Sequence, residues 1–222
     1  MVLYAAFVSP LSDERLFERA YFAVGETRRR RVDTLILPQD KRLSLGAALL
    51  LKKALRDYGV RRDDIAADEN GKPFLLSGEA QFNLSHSGNF ALCAVADCEV
   101  GCDAEKIRDV EPDVAKRFFT DGEYAAISAA QSPEGKRELF FRLWTLKESF
   151  IKAAGAGLSV PLRSFEIELG EKISARRDGE PIDCGFLEFG DVEGYRYALC
   201  TAEKDVQVSV KIFDLSEESV WN

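Results

Sequence analysis

The chain has 222 residues, of which 46% are hydrophobic and 31% charged, as in ordinary soluble globular proteins. Its length suits one large domain or two half-size lobes. The net charge of −8 argues against a nucleic-acid-binding protein, which usually carries a basic excess. No run approaches the roughly 20 apolar residues of a membrane span. Five cysteines without a C-x-x-C pair argue against a disulfide framework or a zinc site, so we expect a reducing, cytoplasmic location.

The first half of the chain predicts a strand, helices and then further strands. Residues 2–8 form a short apolar run typical of a strand, and Ser12 is predicted to cap the helix that follows it. The four arginines at 28–31 form either a solvated helix face or a local basic patch. A longer helix is predicted from about residue 38 to residue 58. Its apolar residues recur at intervals of three and four residues, as on one face of a helix: Leu43, Ala47, Leu50, Leu51, Ala54 and Leu55.

The second half begins within a strand-rich region. One of its segments is similar to an earlier one, and we call this similarity the internal echo. Strands are predicted at 90–96 and 99–103, helices at 112–119, 121–130 and 138–154, and further strands over 164–214. The tetrapeptide FALC at 90–93 is matched by YALC at 197–200, 107 residues later. This offset is close to half the chain length and suggests two similar lobes.

The single histidine, His86, lies in the segment FNLSHS. A Ser–His–acid triad is improbable, because Ser85 and Ser87 are its chain neighbours and would point elsewhere. A lone histidine is commonly structural. The neighbouring polar side chains nevertheless favour ligand binding, since several hydrogen-bond donors in a row suit a phosphate group.

Two pairs of charged residues are candidates for chemistry. Asp103 and Glu105 leave the same face of the chain if it is extended there, and two close carboxylates favour a divalent cation such as Mg²⁺. The alternative is an ordinary acidic loop. Glu148 and Lys152 share one helix face, as either a common ion pair or a site for a metal or phosphate. The apolar neighbours of this pair, Trp144 included, indicate a largely buried helix and favour the second interpretation.

Three segments taken together resemble the 4′-phosphopantetheinyl transferase family. They are FNLSHS, GCDAEK and FRLWTLKESFIKAAGAGLSVP, in that order, with a G-K-P turn at 71–73 in support. The similarity is to the longer, monomeric type that acts on carrier domains of peptide and polyketide synthases, and it spans about residues 38–165. Cys102 and Ala104 depart from the larger apolar residues usual beside the acids, which implies slightly looser packing there.

The resemblance implies an α+β fold of two pseudo-symmetric lobes. Each lobe would be a small antiparallel sheet packed with helices, with the active site between lobes 1–103 and 104–222. The implied Mg²⁺ ligands are Asp103, Glu105 and Glu148. The implied contacts to coenzyme A come from Arg30, Arg42, Lys72, Pro73, Ser85, His86 and Lys152.

The reaction implied by the resemblance is attack by a carrier-protein serine on the β-phosphate of coenzyme A, with release of 3′,5′-ADP. Asp103, Glu148 and Lys152 would be catalytic, and the serine proton would pass to Glu148 or to a metal-bound water. The carrier is expected near helices 112–130, where Phe118 and Phe119 are candidate contacts, although at least one of the two suits the core. The chain is expected to be monomeric, with no nucleic-acid or membrane partner.

Two other functions are compatible with the same residues. One is a Mg²⁺-dependent hydrolase of a nucleotide pyrophosphate, which would need no carrier protein. The other is a non-catalytic protein that binds coenzyme A or a carrier on the same fold. The presence of all three acids argues against the second.

Overall fold

The chain divides into two units in a computed structural model, which describes residues 1–60, 64–69, 71–155, 160–205 and 207–221. The first unit comprises Met1–Ala66, Pro73–Asp97 and Gln207–Asn222, and the second comprises Ala67–Lys72 and Cys98–Val206. The predicted lobes follow chain order, whereas these units do not, because the C-terminal segment of the chain joins the first unit.

Both units mix strands with helices, which confirms the predicted α+β class. As far as Ala96 the elements are β1 (Val2–Phe7), α1 (Glu14–Ala23), α2 (Glu26–Thr34), α3 (Pro38–Tyr58), β2 (Ile65–Ala67), β3 (Pro73–Leu75), β4 (Gln81–Ser87) and β5 (Phe90–Ala96). After it they are β6 (Val100–Lys106), α4 (Pro112–Phe118), α5 (Asp121–Ala129), α6 (Pro133–Ala153), β7 (Glu166–Leu169), β8 (Ile173–Arg177), β9 (Glu180–Pro181), β10 (Gly185–Phe189), β11 (Tyr195–Thr201), β12 (Ser209–Asp214) and α7 (Glu218–Trp221).

The first unit is built on a four-stranded sheet of order β12-β1-β5-β4. Its pairs are antiparallel except for β1 and β12, which run parallel. Every residue of β5 is buried, as expected of a central strand covered by a helix. That helix is α3, and all six of its predicted apolar residues are buried, as the period predicts. It ends at Gly59, whose φ of 89° is a left-handed conformation that glycine adopts without strain.

The start of α1 differs from the prediction by one residue. Asp13, and not Ser12, caps the helix, since its side chain accepts hydrogen bonds from the backbone nitrogens of Arg15 and Leu16 at 3.0 and 3.1 Å. The Ser12 hydroxyl instead donates to the Ser9 carbonyl at 2.8 Å and belongs to a short 3₁₀ turn. Asp and Ser are about equally good caps, so propensity did not separate the two.

The second unit contains a three-stranded antiparallel sheet of order β10-β11-β6, and a second antiparallel sheet of order β7-β8-β9. Helix α6 packs on β6 and β11, as α3 packs on β5 in the first unit. The echoing tetrapeptides lie in β5 and β11, each in the interior of its own sheet. The internal echo therefore corresponds to a repeated helix-on-strand arrangement.

Helix α6 begins earlier than predicted. The predicted helix starts at 138, but Pro133 already occupies the first turn of the helix, and the Ser132 side chain caps it by accepting a hydrogen bond from the Gly135 nitrogen at 3.0 Å. Proline is favoured there because the first helical residues need no N–H donor. The helix ends at Ala153, one residue before the predicted end, and Gly155 follows with a left-handed φ of 64°. Ala156 and Gly157 lie outside the described residues.

Across the described part of the chain, none of the helices has both the length and the apolar character needed to cross a membrane.

Candidate active site

Two acidic residues of the second unit lie on one face of strand β6. The strand runs to Lys106 and does not end at Asp103 as predicted, so both acids lie within it. Side chains alternate along a strand, so Gly101, Asp103 and Glu105 share a face. Cys102 and Ala104 lie on the other face, where both are buried, and Ala104 is paired in register with Tyr197 of β11.

Gly101 allows this face to approach helix α6 very closely. A Cβ atom at this position would overlap with the carbonyl oxygen of Ser149 and the backbone nitrogen of Ala153, and it would lie 2.8 Å from the carbonyl carbon of Lys152. All three are backbone atoms, which cannot move aside without moving the helix. A glycine inside a strand often marks such a contact. It brings the acids of β6 next to the charged residues of α6.

Lys152 of α6 contacts Asp103 of β6 directly. The Lys152 Nζ lies 2.6 Å from the Asp103 Oδ1, and the side chains are 28% and 6% exposed. Burial alone would lower the pKa of Lys152, but the Asp103 carboxylate and the nearby Cys102 and Glu148 outweigh it and raise that pKa. Lys152 is therefore a firmly charged ammonium beside the acids.

Glu148 lies one turn before Lys152 on α6 and is half-buried. Burial raises the pKa of its carboxyl above the ordinary value, and the carboxylates of Asp103 and Glu105 add to the rise while Lys152 opposes it. The structure thus brings together the three predicted acids and the predicted lysine. Their mutual repulsion is what a bound cation would relieve.

The donor set of this cluster fits a hard cation. Its three carboxylates offer only oxygen ligands, which Mg²⁺ prefers. Among the residues that the structure describes, no group of three or more His, Cys, Asp or Glu side chains is placed so that it could hold a metal ion. Mg²⁺ is usually held by one or two carboxylates together with waters and substrate phosphates. The chemistry of Asp103, Glu105 and Glu148 therefore suits Mg²⁺, but their side chains as placed do not make a complete site.

Lys72 reaches the C-terminal end of the same helix. Its Nζ lies 3.2 Å from the carbonyl oxygen of Ala153 and 3.1 Å from the carboxylate of Glu99. Its backbone nitrogen donates to the Asp68 side chain at 2.8 Å, which holds the turn before Pro73. Lys72 thus lies near the end of α6 that carries Lys152, while Pro73 begins β3.

In the first unit, Arg42 belongs to a network at the start of α3. Its guanidinium donates to the Gln39 Oε1 at 2.6 Å, and the Gln39 Nε2 donates to the carbonyl of Gly88 at 2.6 Å and to the side chain of Asn89. Gly88 and Asn89 form the turn that joins β4 to β5. Gln39, which the sequence interpretation did not single out, therefore connects Arg42 to the strand that carries the predicted Ser85 and His86.

Ser85 and His86 lie near the end of the edge strand β4 and point to opposite faces of it. Ser85 is buried and His86 is exposed. The two residues can therefore act on a common ligand only from different sides of the strand.

The four arginines lie in α2, and the structure distinguishes among them. Arg30 is exposed and pairs with Glu26 on the same helix, with 2.5 Å between its Nη2 and the Glu26 Oε1. Arg28 instead faces α3 at 3.5 Å from the Ser44 hydroxyl. Burial, aided by the neighbouring Arg31, lowers the pKa of Arg28. Arg28 is thus the member of the run directed at α3, and four identical residues in a row gave no signal to select it.

The two candidate carrier contacts have different environments. Phe119 is fully buried in the core of the second unit, where its ring lies edge-on to Phe140 with centroids 5.2 Å apart. Phe118 is half-buried and packs edge-on against Trp144 at 5.4 Å. Phe119 has the core role expected of one of them, and only Phe118 is accessible to a partner.

Comparison with known proteins gives concordant matches. The model of the 4′-phosphopantetheinyl transferase superfamily matches residues 99–200. The chain is 32% identical to 4′-phosphopantetheinyl transferase Sfp of Bacillus subtilis strain 168, over 98% of this chain and 99% of that protein. It is 36% identical to another 4′-phosphopantetheinyl transferase of Bacillus subtilis, over 85% and 86%. A structure of a Bacillus anthracis holo-(acyl-carrier-protein) synthase in complex with coenzyme A aligns with a TM-score of 0.39 at 17% identity, covering 49% of this chain and 97% of that one.

Proposed function

Because the chain belongs to the 4′-phosphopantetheinyl transferase family, we propose that it transfers the 4′-phosphopantetheine group of coenzyme A to a serine of a carrier protein. The observation that carries this proposal is the cluster of Asp103, Glu105, Glu148 and Lys152, in which three carboxylates and one ammonium meet where β6 packs on α6. Such a cluster suits the pyrophosphate of coenzyme A and its metal ion.

The proposed reaction is a single displacement at phosphorus. The serine oxygen of the carrier bonds to the β-phosphorus, and the bond from that phosphorus to the oxygen bridging to the α-phosphate breaks. The bond electrons leave with 3′,5′-ADP. Lys152 offsets the negative charge that develops on the bridging oxygen as it leaves with the α-phosphate of 3′,5′-ADP. Glu148 is the proposed acceptor of the serine proton, since its carboxylate lies beside Asp103, Glu105 and Lys152.

Asp103, Glu105 and Glu148 would hold Mg²⁺. Bound there, the ion would neutralise charge on the phosphate oxygens of the substrate. Lys152 balances part of the charge of Asp103 at 2.6 Å from its Oδ1.

Coenzyme A binding is proposed for the residues that the resemblance implies. Arg42 and His86 are proposed for the 3′-phosphate, with Ser85 as a further polar contact and Arg28 joining the proposed Arg30. Lys72 and Pro73 are proposed for the nucleotide, and Lys152 for the pyrophosphate. Support comes from the Arg42–Gln39 network beside the β4–β5 turn and from the position of Lys72 at the end of α6. A monomeric state, a cytoplasmic location and the exclusion of nucleic-acid and membrane partners stay predictions.

The function is tested by the intact mass of apo carrier proteins after incubation with this protein, coenzyme A and Mg²⁺. We expect a gain of one phosphopantetheine on the carrier, and no gain when EDTA is present. Consumption of coenzyme A without modification of carriers from several pathways would instead support a hydrolase. Neither modification nor consumption would support a binding protein.

Replacement of Arg42 by alanine is expected to raise the KM for coenzyme A by about 10- to 100-fold. This factor corresponds to the usual binding free energy of a hydrogen bond to a charged group. With 3′-dephospho-coenzyme A, which lacks the phosphate, the same change should alter the KM by less than about threefold, since the contact is then missing in both enzymes. Arg56→Ala is the matched control, an exposed arginine in the last turn of the same helix. An equal loss with both substrates would contradict the assignment.

A further inference from the structure

We infer that the buried ion pair between Lys147 and Glu123 is a positioning device that sets the rotation of α6 about its axis, and thereby the placement of Glu148 and Lys152. This inference rests on the proposed function. Lys147 immediately precedes Glu148 in the chain, yet its side chain lies on a different side of the helix. Successive helical residues are about 100° apart, so Lys147 projects well away from the face that meets β6.

Lys147 has the full set of partners that an ammonium can use. Its Nζ lies 2.9 Å from the Glu123 Oε1 and donates to the carbonyl oxygens of Leu162, at 2.9 Å, and Phe165. It also lies 4.2 Å from the centroid of the Phe165 ring. The side chains of Lys147 and Glu123 are 0% and 2% exposed. An ammonium has three donors, and here three acceptors take them.

Glu123 is itself fixed by two backbone nitrogens, one at the cap of its own helix and one in β7. Its Oε2 accepts from the Thr120 nitrogen at 2.9 Å, which completes the cap of α5, and its Oε1 accepts from the Ile167 nitrogen of β7 at 2.8 Å. The acceptors around Lys147 therefore belong to α5 and to the turn before β7, and Glu123 is in turn bonded to β7. Helix α6 is held on this side by directional bonds, and at Gly101 by backbone contact with β6.

Directional bonds matter here because the position of Glu148 follows the rotation of its helix. A rotation of about 10° moves a side-chain end by about 1 Å, given a helix radius of 5–6 Å with side chains. Misplacement of a catalytic group by about 1 Å can cost roughly 10²-fold in rate. Apolar packing of the same volume tolerates such rotation more readily than three hydrogen bonds with fixed acceptors.

Stability alone does not require an ion pair at this position. Replacement of a buried pair by residues of similar shape is often neutral or stabilising, whereas removal of one partner leaves a buried charge unpaired. Lys147 and Glu123 should therefore be replaced together by uncharged residues. A loss of activity in a folded double variant then reports the position of Glu148 and not a loss of folding.

The test is the double variant Lys147→Met/Glu123→Gln, in which the single glutamine oxygen can still accept at the α5 cap but no longer also from the Ile167 nitrogen. We expect a melting temperature lower by no more than about 12 °C, a kcat for carrier modification lower by about 10- to 100-fold, and a Kd for coenzyme A, measured by calorimetry, within about threefold of wild type. The matched control is Lys172→Met/Asp205→Asn, an exposed pair of the same unit with 3.2 Å between its charged atoms. It should change none of these values.

A wild-type kcat in a folded double variant would overturn the inference. If that variant does not fold, Glu123→Asp alone is measured, because it keeps both charges of the buried pair and shortens the anchoring side chain by one methylene. A kcat at least about fivefold lower, with an unchanged Kd for coenzyme A, would support the positioning role, and an unchanged kcat would overturn it. Absence of carrier modification by the wild-type protein would overturn the proposed function itself, and the inference with it.

Discussion

Glu148→Gln is expected to lower the rate of carrier modification by roughly 10³-fold, because it removes a metal ligand and the proposed proton acceptor together. The substitution keeps the size of the side chain and removes only its charge. The same variant, without metal or substrate, is expected to be at least as stable as wild type.

The sign of the stability effect follows from the pKa of Glu148. Burial raises this pKa in the folded protein, with Asp103 and Glu105 adding to the shift. A carboxyl with a raised folded-state pKa contributes stability that is present at acid pH and is lost as the pH rises through that pKa. At neutral pH its ionisation therefore opposes folding, and a neutral glutamine avoids this cost.

Two measurements check this prediction, the rate of carrier modification and the melting temperature with and without Mg²⁺. Mg²⁺ should raise the melting temperature of wild type more than that of the variant. Glu134→Gln is the matched control, an exposed residue in the first turn of the same helix. A near wild-type rate for Glu148→Gln would show that the metal-ligand assignment is wrong.

Gly101→Ala is expected to lower the free energy of unfolding by at least about 3 kcal/mol, since overpacking against rigid neighbours costs 1–3 kcal/mol or more. The added methyl group would meet backbone atoms of Ser149 and Ala153, so that β6 and α6 must separate. Because the acids lie on β6 and Glu148 lies on α6, activity should fall further than stability alone explains.

Thermal unfolding and carrier modification at a temperature well below the transition test this second prediction. A fall of about 6–12 °C in the melting temperature corresponds to that free energy in a chain of this length. Gly25→Ala is the control, because no atom lies within 4 Å of the added methyl group and the φ of −66° is ordinary. An unchanged melting temperature and rate for Gly101→Ala would contradict the close approach of β6 to α6.

Much of the fold could be predicted because it depends on local pattern. The apolar residues of α3 recur with the helical period, and the helix has the predicted bounds of Pro38 and Tyr58. The strand from Phe90 to Ala96 likewise has its predicted bounds. Period, caps and chain-breaking residues act within a few positions of each other, so one sequence is enough to recognise them.

The candidate site was predictable only in part. Asp103, Glu105, Glu148 and Lys152 were identified from local spacing and from the resemblance of their segments to a known family, and the structure brings them together. Gln39 and Arg28 were not identified, because their positions depend on which turn or helix they face.

The sequence by itself determined which groups are available for chemistry and which segments form the main helices. Only the tertiary structure decided that β12 pairs with β1 across the length of the chain, that Gly101 meets the backbone of α6, and that Lys147 is buried against Glu123 while Glu148, the next residue, lies among the acids. The physical reason is that strand pairing and helix rotation depend on contacts between residues far apart in sequence, which local propensity does not encode.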